Sequence, residues 1–332
     1  MKRFLITGAA GFIGYHLCES LLGATVDTGS EVMEPVEVIG IDSVNDAYDP
    51  RLKEWRLAQL TRYSGFRFVR GNITDPDCIE CCFSDGSAPD AIIHLAARAG
   101  VRESVTDPWI YYSTNVTGTL HLLEFCRNRG VRKFVMASSS SVYGAAAIQP
   151  QSESHCTDFP CSPYAASKKS AEVTAHAWHS LHGLDVSALR FFTVYGPAGR
   201  PDMSIFHFIR NISERRPITL YGDGRQSRDF TYVGDIVRGI RAALRPVGYR
   251  IFNLGGDHPI VLNDVIAGIV RRIGHEPIVN YQPVHPADIP ATWADISRAR
   301  TELGWEPQTS MNEGLDRCVE WYREHRDILE PS

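Results

Sequence analysis

Residues 7–14 read TGAAGFIG, and the glycines Gly8, Gly11 and Gly14 directly follow the apolar run RFLIT of residues 3–7. The run is typical of a buried strand, and the residues after Gly11 favour a helix. Glycines between a strand and a helix allow a tight turn and a close approach of the backbone to phosphate, and the helix N-terminus attracts the anion. The stretch therefore predicts a dinucleotide-binding turn. A glycine turn in an α/β protein that binds no nucleotide is the alternative.

The second predicted strand ends on an acidic residue that bears on the choice of cofactor. Asp42 is the last residue of VEVIGID, residues 36–42. A carboxylate at this place accepts hydrogen bonds from both ribose hydroxyls and repels a 2′-phosphate. We therefore expect this turn to bind NAD rather than NADP.

Apolar runs alternate with helical patterns through the first 190 residues; the runs are RFLIT, VEVIGID, FRFVRG, AIIHLAA, KFVMASS and VSALRFF. This alternation predicts an α/β protein with a Rossmann-type doubly wound parallel sheet, because the crossover helices cover both faces. Mixed short elements after Pro197 predict a smaller C-terminal α/β lobe for the substrate. We expect a cofactor domain at residues 1–190 and mainly the substrate domain at 191–332. Segments near 230–255 and 288–300 are expected to return to the cofactor domain.

The composition limits the partners and the location. A net charge of −5 over 332 residues creates no general attraction for nucleic acid or an anionic membrane. No apolar stretch approaches the length of a membrane span, and the run after Lys2 and Arg3 is too short for a signal peptide. The eight cysteines are scattered, and CIECC at 78–82 has no partner pair at zinc-site spacing. We expect reduced thiols in a cytoplasmic protein, and a surface insertion at residues 23–35.

Tyr164 and Lys168, in YAASK, are four residues apart in a predicted helix and therefore share one face. A free tyrosine has a pKa of about 10, too high for a base at neutral pH. A neighbouring ammonium group would favour the phenolate. The strand KFVMASS ends in serines, which would put a hydroxyl beside the phenol.

Together these residues resemble the extended short-chain dehydrogenase/reductase family, specifically its nucleotide-sugar epimerases. The resemblance covers essentially the whole chain through the ordered motifs TGAAGFIG, HLAARAGVRES, SSSSVYG, SPYAASK, LRFFTVYGP, RDFTYVGDIV and WADISRA. It implies that Ser139 is the catalytic hydroxyl, that Tyr164 is the general base and acid, and that Lys168 tunes this tyrosine. It also implies NAD as the cofactor, a UDP-sugar as the substrate, and a homodimer.

The same resemblance implies which residues hold the cofactor. Asn72 stands where the family usually has an aspartate facing adenine, and Ser43 replaces an asparagine; both departures concern affinity rather than chemistry. The expected cofactor-binding residues are Gly8, Gly11, Phe12, Ile13, Gly14, Asp42, Ser43, Asn72, Ile73, Leu95, Ala96, Ala97, Asn115, Tyr164, Lys168 and Phe191.

The residues after Ser139 bear on the reaction. Dehydratases of similar design carry an Asp-Glu pair after the catalytic hydroxyl, and the decarboxylases carry a glutamate two residues after it. Ser140 and Ser141 occupy these places here. The resemblance therefore implies that a 4-keto intermediate rotates and takes hydride back on its other face, which is C4 epimerisation.

The segment GPAGRPDM, residues 196–203, resembles the UDP-glucuronate 4-epimerases, in which an arginine at the position of Arg200 binds the sugar carboxylate. A guanidinium pairs with a carboxylate through two parallel hydrogen bonds, which lysine cannot reproduce. Oxidation at C4 creates a β-keto acid, and a carboxylate held out of line with the carbonyl π system is protected from loss as carbon dioxide. A solvated loop arginine is the alternative.

Other substrate contacts also follow from the resemblance. Thr193 replaces an asparagine found in galactose-type epimerases, and His285 stands where many relatives have an arginine that binds the diphosphate. The expected substrate-binding residues are Arg102, Ser139, Ser140, Ser141, Tyr164, Thr193, Arg200, Tyr221, Gln226, Arg228 and Asp288. The rival interpretations are a UDP-glucose or UDP-N-acetylglucosamine 4-epimerase, a UDP-glucuronate decarboxylase, and a nucleotide-binding regulator without catalysis.

His176, His179 and His182 recur every three residues, but no carboxylate or cysteine completes a metal site, so we expect no metal. These histidines are expected on a helix surface or at a dimer interface. The resemblance implies pairing of two chains through long helices around residues 107–129 and 163–182.

Overall fold

The computed structural model describes residues 2–23, 36–145, 148–284 and 288–329. The predicted insertion at 23–35 lies, apart from Gly23, outside the described residues. The strands are β1 (Lys2–Thr7), β2 (Val36–Asp42), β3 (Phe66–Arg70), β4 (Ala91–His94), β5 (Lys133–Ser139), β6 (Asp185–Phe191), β7 (Thr193–Tyr195), β8 (Ile218–Tyr221), β9 (Ser227–Tyr232), β10 (Tyr249–Leu254), β11 (Pro259–Val261) and β12 (Val279–Gln282).

The long helix expected around residues 163–182 is present as Pro163–His182. The helices are α1 (Phe12–Leu21), α2 (Pro50–Leu60), α3 (Pro76–Cys81), α4 (Glu103–Thr106), α5 (Pro108–Tyr112), α6 (Gly118–Arg129), α7 (Pro163–His182), α8 (Ser204–Ser213), α9 (Val233–Ala242), α10 (Leu262–Ile273) and α11 (Met311–His325). The helix expected around 107–129 is divided, because a π-helical turn (Ser113–Thr117) joins α5 to α6. No helix of these described ranges is long and apolar enough to cross a membrane.

A seven-stranded sheet, with every pair of neighbours parallel, forms the centre of the molecule in the order β10-β6-β5-β4-β1-β2-β3. This confirms the predicted Rossmann-type α/β fold. Every residue of β5 is buried, as expected for a strand covered on both faces. The strand order reverses between β1 and β4, and ligands of such sheets bind at the carboxyl ends of the strands beside the reversal. TGAAGFIG and Ser139 both lie at this edge.

The C-terminal half contributes to both parts of the molecule. A three-stranded sheet, β11-β9-β7, and a parallel pair, β12 and β8, carry α8, α10 and α11 around a second apolar core. The strand β10 pairs with β6 in the central sheet, from Tyr249 beside Val186 onward. Ile296 and Trp305 also belong to the core that packs on the central sheet. Residues near 230–255 and 288–300 therefore pack on the central sheet, and the division into two domains stays a prediction.

The three regularly spaced histidines lie on α7. His176 packs edge-on against Tyr249, with ring centroids 4.7 Å apart, and the Nδ1 of His179 lies 2.8 Å from the carbonyl of Leu184. Within the described ranges, no group of three His, Cys, Asp or Glu side chains is arranged to hold a metal ion.

Candidate active site

The turn between β1 and α1 forms one end of a large cleft. Gly8 has φ +75°, and a Cβ added there would lie 2.7 Å from the amide nitrogen of Ala96. A Cβ on Gly14 would lie 2.1 Å from the carbonyl oxygen of Gly8, which is too close for two non-bonded atoms. Gly11 caps α1 without a side-chain hydrogen bond, and the first turn of the helix contains no acidic residue. The open amides and the positive end of α1 therefore fit a pyrophosphate such as that of NAD.

Asp42 is fixed at the end of β2 by two backbone amides. One carboxylate oxygen accepts a hydrogen bond from the amide of Ala10 (3.1 Å), and the other accepts one from the amide of Val44 (2.8 Å). Each oxygen keeps a second lone pair. The carboxylate faces the cleft and fits the role of a ribose acceptor.

The cleft has a volume of about 1130 Å³. This volume lies just above the range of roughly 300–1,000 Å³ that is usual for a small-molecule site. Its walls include all the expected substrate residues and all but one of the expected cofactor residues. Those expected for the cofactor are Gly8, Gly11, Phe12, Ile13, Gly14, Asp42, Ser43, Asn72, Ile73, Leu95, Ala96, Ala97, Tyr164, Lys168 and Phe191.

Asn115 is the exception: it does not line the cleft in this structure, and its role at the cofactor stays a prediction. The side chain is 1% exposed and is not part of the cleft surface. Its amide oxygen accepts a hydrogen bond from the amide of Arg98, and its amide nitrogen donates to the Arg98 carbonyl and the Ser167 hydroxyl (2.8–3.0 Å). Asn115 lies in the π-helical turn, where it ties the loop after β4 to α7.

Ser139 ends β5 and begins the turn that carries the next two serines. Its hydroxyl donates to the Ser141 hydroxyl (3.0 Å) and accepts a hydrogen bond from the Ser141 amide (3.2 Å). Since Ser140 also faces the cleft, three adjacent hydroxyls line this part of its wall. No carboxylate stands in this turn, in agreement with the sequence.

Tyr164 lies in the first turn of α7, where Ser162 caps the helix by accepting a hydrogen bond from the amide of Ala165. Burial raises the pKa of the Tyr164 phenol, whereas a hydrogen bond with Ser139 and the charge of Arg200 lower this pKa. Both residues favour the phenolate that a base requires. Arg200 therefore acts on the tyrosine electrostatically, a link that the sequence did not predict.

Lys168 points into the sheet as well as into the cleft. Its ammonium group donates to the carbonyl of Ala137 (2.8 Å), and burial lowers its pKa to about 8 against the opposing charge of Glu172. The pKa shift of Tyr164 in this structure arises from burial, Ser139 and Arg200. The tuning of Tyr164 by Lys168 therefore stays a prediction for the cofactor-bound enzyme.

Arg200 is not a solvated loop residue, because its side chain is only 20% exposed. Its Nη2 and Nε donate to the two carboxylate oxygens of Asp202, at 2.5 and 3.1 Å. The guanidinium thus already makes the fork-shaped pair that suits a carboxylate. The ring centre of Tyr48 lies 5.6 Å from the Arg200 guanidinium carbon, within the range of a cation–π contact.

The far end of the cleft joins the two parts of the molecule. Arg102, after β4, makes a bidentate pair with Asp288 (2.6 and 3.2 Å) and stacks on the ring of Tyr221 at 3.5 Å. Burial lowers the pKa of Arg228, and the nearby Asp288 opposes this. Gln226 donates to the carbonyl of Tyr221 (2.9 Å). The expected substrate residues at this end therefore stand together; His285 lies outside the described residues.

Sequence reasoning missed several residues of the cleft. Tyr48 and Lys53 line it, and Arg56 lies directly behind it. The Lys53 ammonium group donates to the backbone and side-chain oxygens of Asn45, and burial lowers its pKa to about 8. The sequence offered one signal for these three residues: they lie in the segment that follows Asp42, at the end of the strand that faces the cleft. Asp202 was also missed, although its spacing from Arg200 is readable in the sequence.

Known proteins match this chain over nearly its full length. A model of the NAD dependent epimerase/dehydratase family matches residues 4–255. A UDP-glucuronate 4-epimerase of Thermodesulfobacterium geofontis is 48% identical, and the match covers 99% of this chain and 98% of that protein.

Solved structures agree with these sequence matches. The crystal structure of UDP-glucuronic acid 4-epimerase from Bacillus cereus, in complex with UDP-glucuronic acid and NAD, matches with a TM-score of 0.87 and 35% identity, covering 97% of this chain and 99% of that one. The UDP-glucose 4-epimerase of Thermotoga maritima, with UDP-glucose, matches with a TM-score of 0.85 and 30% identity over 98% and 99% of the two chains. The glycine turn, the Ser139–Tyr164–Lys168 group and these matches together place the chain in the NAD dependent epimerase/dehydratase family.

Proposed function

We propose that this protein catalyses NAD-dependent C4 epimerisation of UDP-glucuronate to UDP-galacturonate. The observation that carries the proposal is the position of Arg200: its guanidinium lines the same cleft as Tyr164, acts on the pKa of the phenol, and is poised for a carboxylate. Without substrate this guanidinium pairs with Asp202, and the carboxylate of a uronate can take the same fork, whereas a neutral sugar has no group that can. The match to the Thermodesulfobacterium geofontis and Bacillus cereus enzymes supports the same substrate.

The residues at the catalytic end divide the chemistry. NAD, when bound, supplies the acceptor and donor of hydride at C4. Tyr164 as phenolate removes the proton from the sugar O4, and as phenol it returns this proton once the sugar has rotated. Ser139 lines the same cleft as Tyr164 and lowers the pKa of its phenol, so its hydroxyl is placed to bind O4. Lys168, held by the Ala137 carbonyl, stands one helical turn from the phenol.

Arg200 protects the intermediate as well as binding it. In the 4-keto sugar, cleavage of the C5–C6 bond releases carbon dioxide and leaves the electron pair in an enolate on the C4 oxygen; a solvent proton then adds at C5. This cleavage requires the carboxylate to lie in line with the carbonyl π system. A two-point pair with a guanidinium fixes the carboxylate plane, so Arg200 sets whether that alignment is reached. The serines at 140 and 141 provide no carboxylate to promote elimination or decarboxylation.

We also propose a homodimer and a cytoplasmic location. The helices α5 and α7 pack together, and large apolar side chains stand exposed on α5 and α7: Trp109 is 82% exposed and Leu181 is 73% exposed. Burial of such side chains against a second copy removes apolar area from water. The eight free cysteines, half of them buried, fit a reducing compartment. Sedimentation of the wild type and of Trp109→Glu tests the dimer, which the charged variant should dissociate.

The test of the reaction compares three substrates. The purified protein is incubated with NAD and, separately, with UDP-glucuronate, UDP-glucose and UDP-N-acetylglucosamine, and the products are resolved by chromatography and mass. An isomer of unchanged mass from the uronate supports the proposal. Loss of carbon dioxide identifies a decarboxylase, turnover of the neutral sugars alone identifies the neutral-sugar epimerase, and activity in Tyr164→Phe contradicts the assigned base.

Arg200→Lys adds an internal control. This variant keeps the charge and loses the fork, so uronate turnover should fall about 100-fold while cofactor binding persists. Arg250→Lys changes an arginine that is half exposed, pairs with Glu302 and lies outside the cleft, and it should leave turnover unchanged.

A further inference from the structure

Arg56, on α2, lies completely buried between two turns of the active site. One nitrogen of its guanidinium, Nη1, donates to the carbonyl of Ala10 (3.0 Å) and to the hydroxyl of Tyr48 (2.6 Å). The other, Nη2, donates to the carbonyls of Ala198 (2.6 Å) and Gly199 (3.2 Å). Arg56 is 0% exposed. A single side chain thus connects the cofactor turn to the two residues that precede Arg200.

The bonding of Arg56 is unusual for a buried arginine. All four acceptors are neutral oxygens, and none of them belongs to a carboxylate. Its Nε is buried and has no hydrogen-bond partner among the residues that the structure describes. Burial of a guanidinium without a counter-ion is costly, because charged groups are strongly hydrated in water. The guanidinium supplies four donors in a fixed plane, so one side chain can hold oxygens of two separate turns at once.

The turn before Arg200 depends on these bonds. Ala198 has φ +49°, a left-handed conformation that alanine rarely adopts, and it is 1% exposed. Such a conformation persists only where the surroundings hold it. The hydrogen bonds from Arg56 to the carbonyls of Ala198 and Gly199 hold this turn and so determine the position of the backbone at Arg200.

Tyr48 extends the same connection to the guanidinium of Arg200. Its hydroxyl accepts the hydrogen bond of Arg56, and its ring centre lies 5.6 Å from the Arg200 guanidinium carbon. The Lys53 ammonium group lies 4.6 Å from the same ring. The electron-rich face of the ring attracts these cations, so its position biases where the Arg200 side chain lies.

We propose that Arg56 and Tyr48 are positioning residues that hold Arg200 at a set place relative to the cofactor turn, and that they thereby determine selectivity for a sugar carboxylate and its survival in the 4-keto intermediate. The inference rests on the proposed function. Arg56 lies behind the cleft wall and Tyr48 lies on it, and both are proposed to act through Arg200. Arg56 acts through the backbone at 198–199, and Tyr48 acts through the side chain of Arg200.

The experiment uses Arg56→Lys, Tyr48→Phe and, as a control on the same helix, Glu54→Gln, an exposed residue that pairs with Arg70 on the surface. The dissociation constants of UDP-glucuronate and UDP-glucose are measured calorimetrically with NAD present, each variant being combined with Tyr164→Phe to stop turnover. In the active background, the share of turnovers that releases carbon dioxide is measured. Bound NAD is quantified for every protein.

Arg56→Lys should weaken binding of UDP-glucuronate about 10-fold more than binding of UDP-glucose and should raise the carbon dioxide share several-fold. Tyr48→Phe keeps the ring and loses the hydroxyl, so it should shift both quantities in the same direction and by less. Glu54→Gln should match the wild type. If Arg56→Lys does not fold, Tyr48→Phe decides alone.

Two other results overturn the inference in distinguishable ways. If a folded variant binds UDP-glucuronate and UDP-glucose more weakly by the same factor, the positioning role is overturned and the proposed function stays intact. Unchanged selectivity and unchanged carbon dioxide release in a folded variant have the same consequence. Failure of the wild type to bind or turn over UDP-glucuronate overturns the proposed function, and the inference with it.

Discussion

Glu172 and Arg190 form a buried bidentate ion pair beside the strand end that carries Ser139. The two hydrogen bonds are 2.9 and 2.8 Å long, and both side chains are 2% exposed. Glu172 also accepts a hydrogen bond from the hydroxyl of Ser138 (2.6 Å). The pair lies between α7 and β6, and so it connects the helix of Tyr164 to the strands beneath the catalytic turn.

Loss of one member of this pair should destabilise the protein strongly. Arg190→Leu leaves the carboxylate of Glu172 buried without its cation, which should lower the free energy of unfolding by about 3–5 kcal/mol. The double variant Glu172→Leu with Arg190→Leu removes both charges and should recover most of that loss. Urea unfolding of the three proteins measures the difference, and equal destabilisation of the single and double variants would contradict this account.

The charge of Arg200 should also be visible in the titration of Tyr164. Because this charge lowers the pKa of the phenol, Arg200→Met should raise the pKa of Tyr164 further. Arg200→Lys keeps the charge, so the pKa of Tyr164 should stay close to that of the wild type. The phenolate absorbance of each cofactor-free protein, minus that of its Tyr164→Phe counterpart, follows this one group. The pair of variants separates the two roles of Arg200, since lysine keeps the charge but cannot bind a carboxylate through a fork. An unchanged titration in Arg200→Met would contradict the electrostatic link.

His94 should make the protein sensitive to mild acid. Burial, together with the charge of Lys168, lowers the pKa of His94 to about 3, and its ring nitrogens are hydrogen-bonded to Thr7 and Thr119 (2.8 and 3.0 Å). In the unfolded chain the imidazole binds a proton near pH 6.5. Between these pH values the unfolded state holds more protons, so the contribution of His94 is complete above pH 6.5 and is lost as the pH falls toward 3.

The size of this effect sets the experiment. One histidine contributes at most about 1.4 kcal/mol per pH unit to the slope of the unfolding free energy. His94→Gln keeps a donor and an acceptor and removes the titration, so its slope between pH 6 and 4 should be smaller by about this amount, as read from urea unfolding at several pH values. Parallel slopes would show that His94 is not the titrating group.

The cofactor half of the site was readable in the sequence, because its determinants are local. Gly8, Gly11 and Gly14 act through backbone geometry within one turn, and Asp42 follows from its place at the end of a strand. The regular alternation of strands and helices likewise predicted the sheet. These features depend on the neighbours of a residue along the chain, which a sequence displays directly.

The positioning of Arg200 was not readable, because it depends on contacts between distant segments. Arg56 reaches Ala198 across 142 residues of chain, and nothing in the letters around either residue reveals that contact. The contacts of Asn115 were not readable either. It lies in a π-helical turn, and its amide is hydrogen-bonded to the Arg98 backbone and the Ser167 hydroxyl. Side-chain direction in an irregular turn follows from tertiary packing rather than from residue type.

Gly14→Ala should separate cofactor binding from overall stability when it is compared with Gly274→Ala. The new Cβ at 14 would overlap the carbonyl of Gly8, so the cofactor turn must shift; NAD retention should be lost and the unfolding free energy should fall by about 1–3 kcal/mol. Gly274 caps α10 at φ +82°, and beyond its chain neighbours no atom of the described residues lies within 4 Å of an added Cβ. Alanine there should cost about 1–2 kcal/mol through backbone strain alone and leave NAD bound. The nucleotide content of each purified protein, with urea unfolding beside it, tests the pair; full NAD retention in Gly14→Ala would mean that the turn does not hold the pyrophosphate.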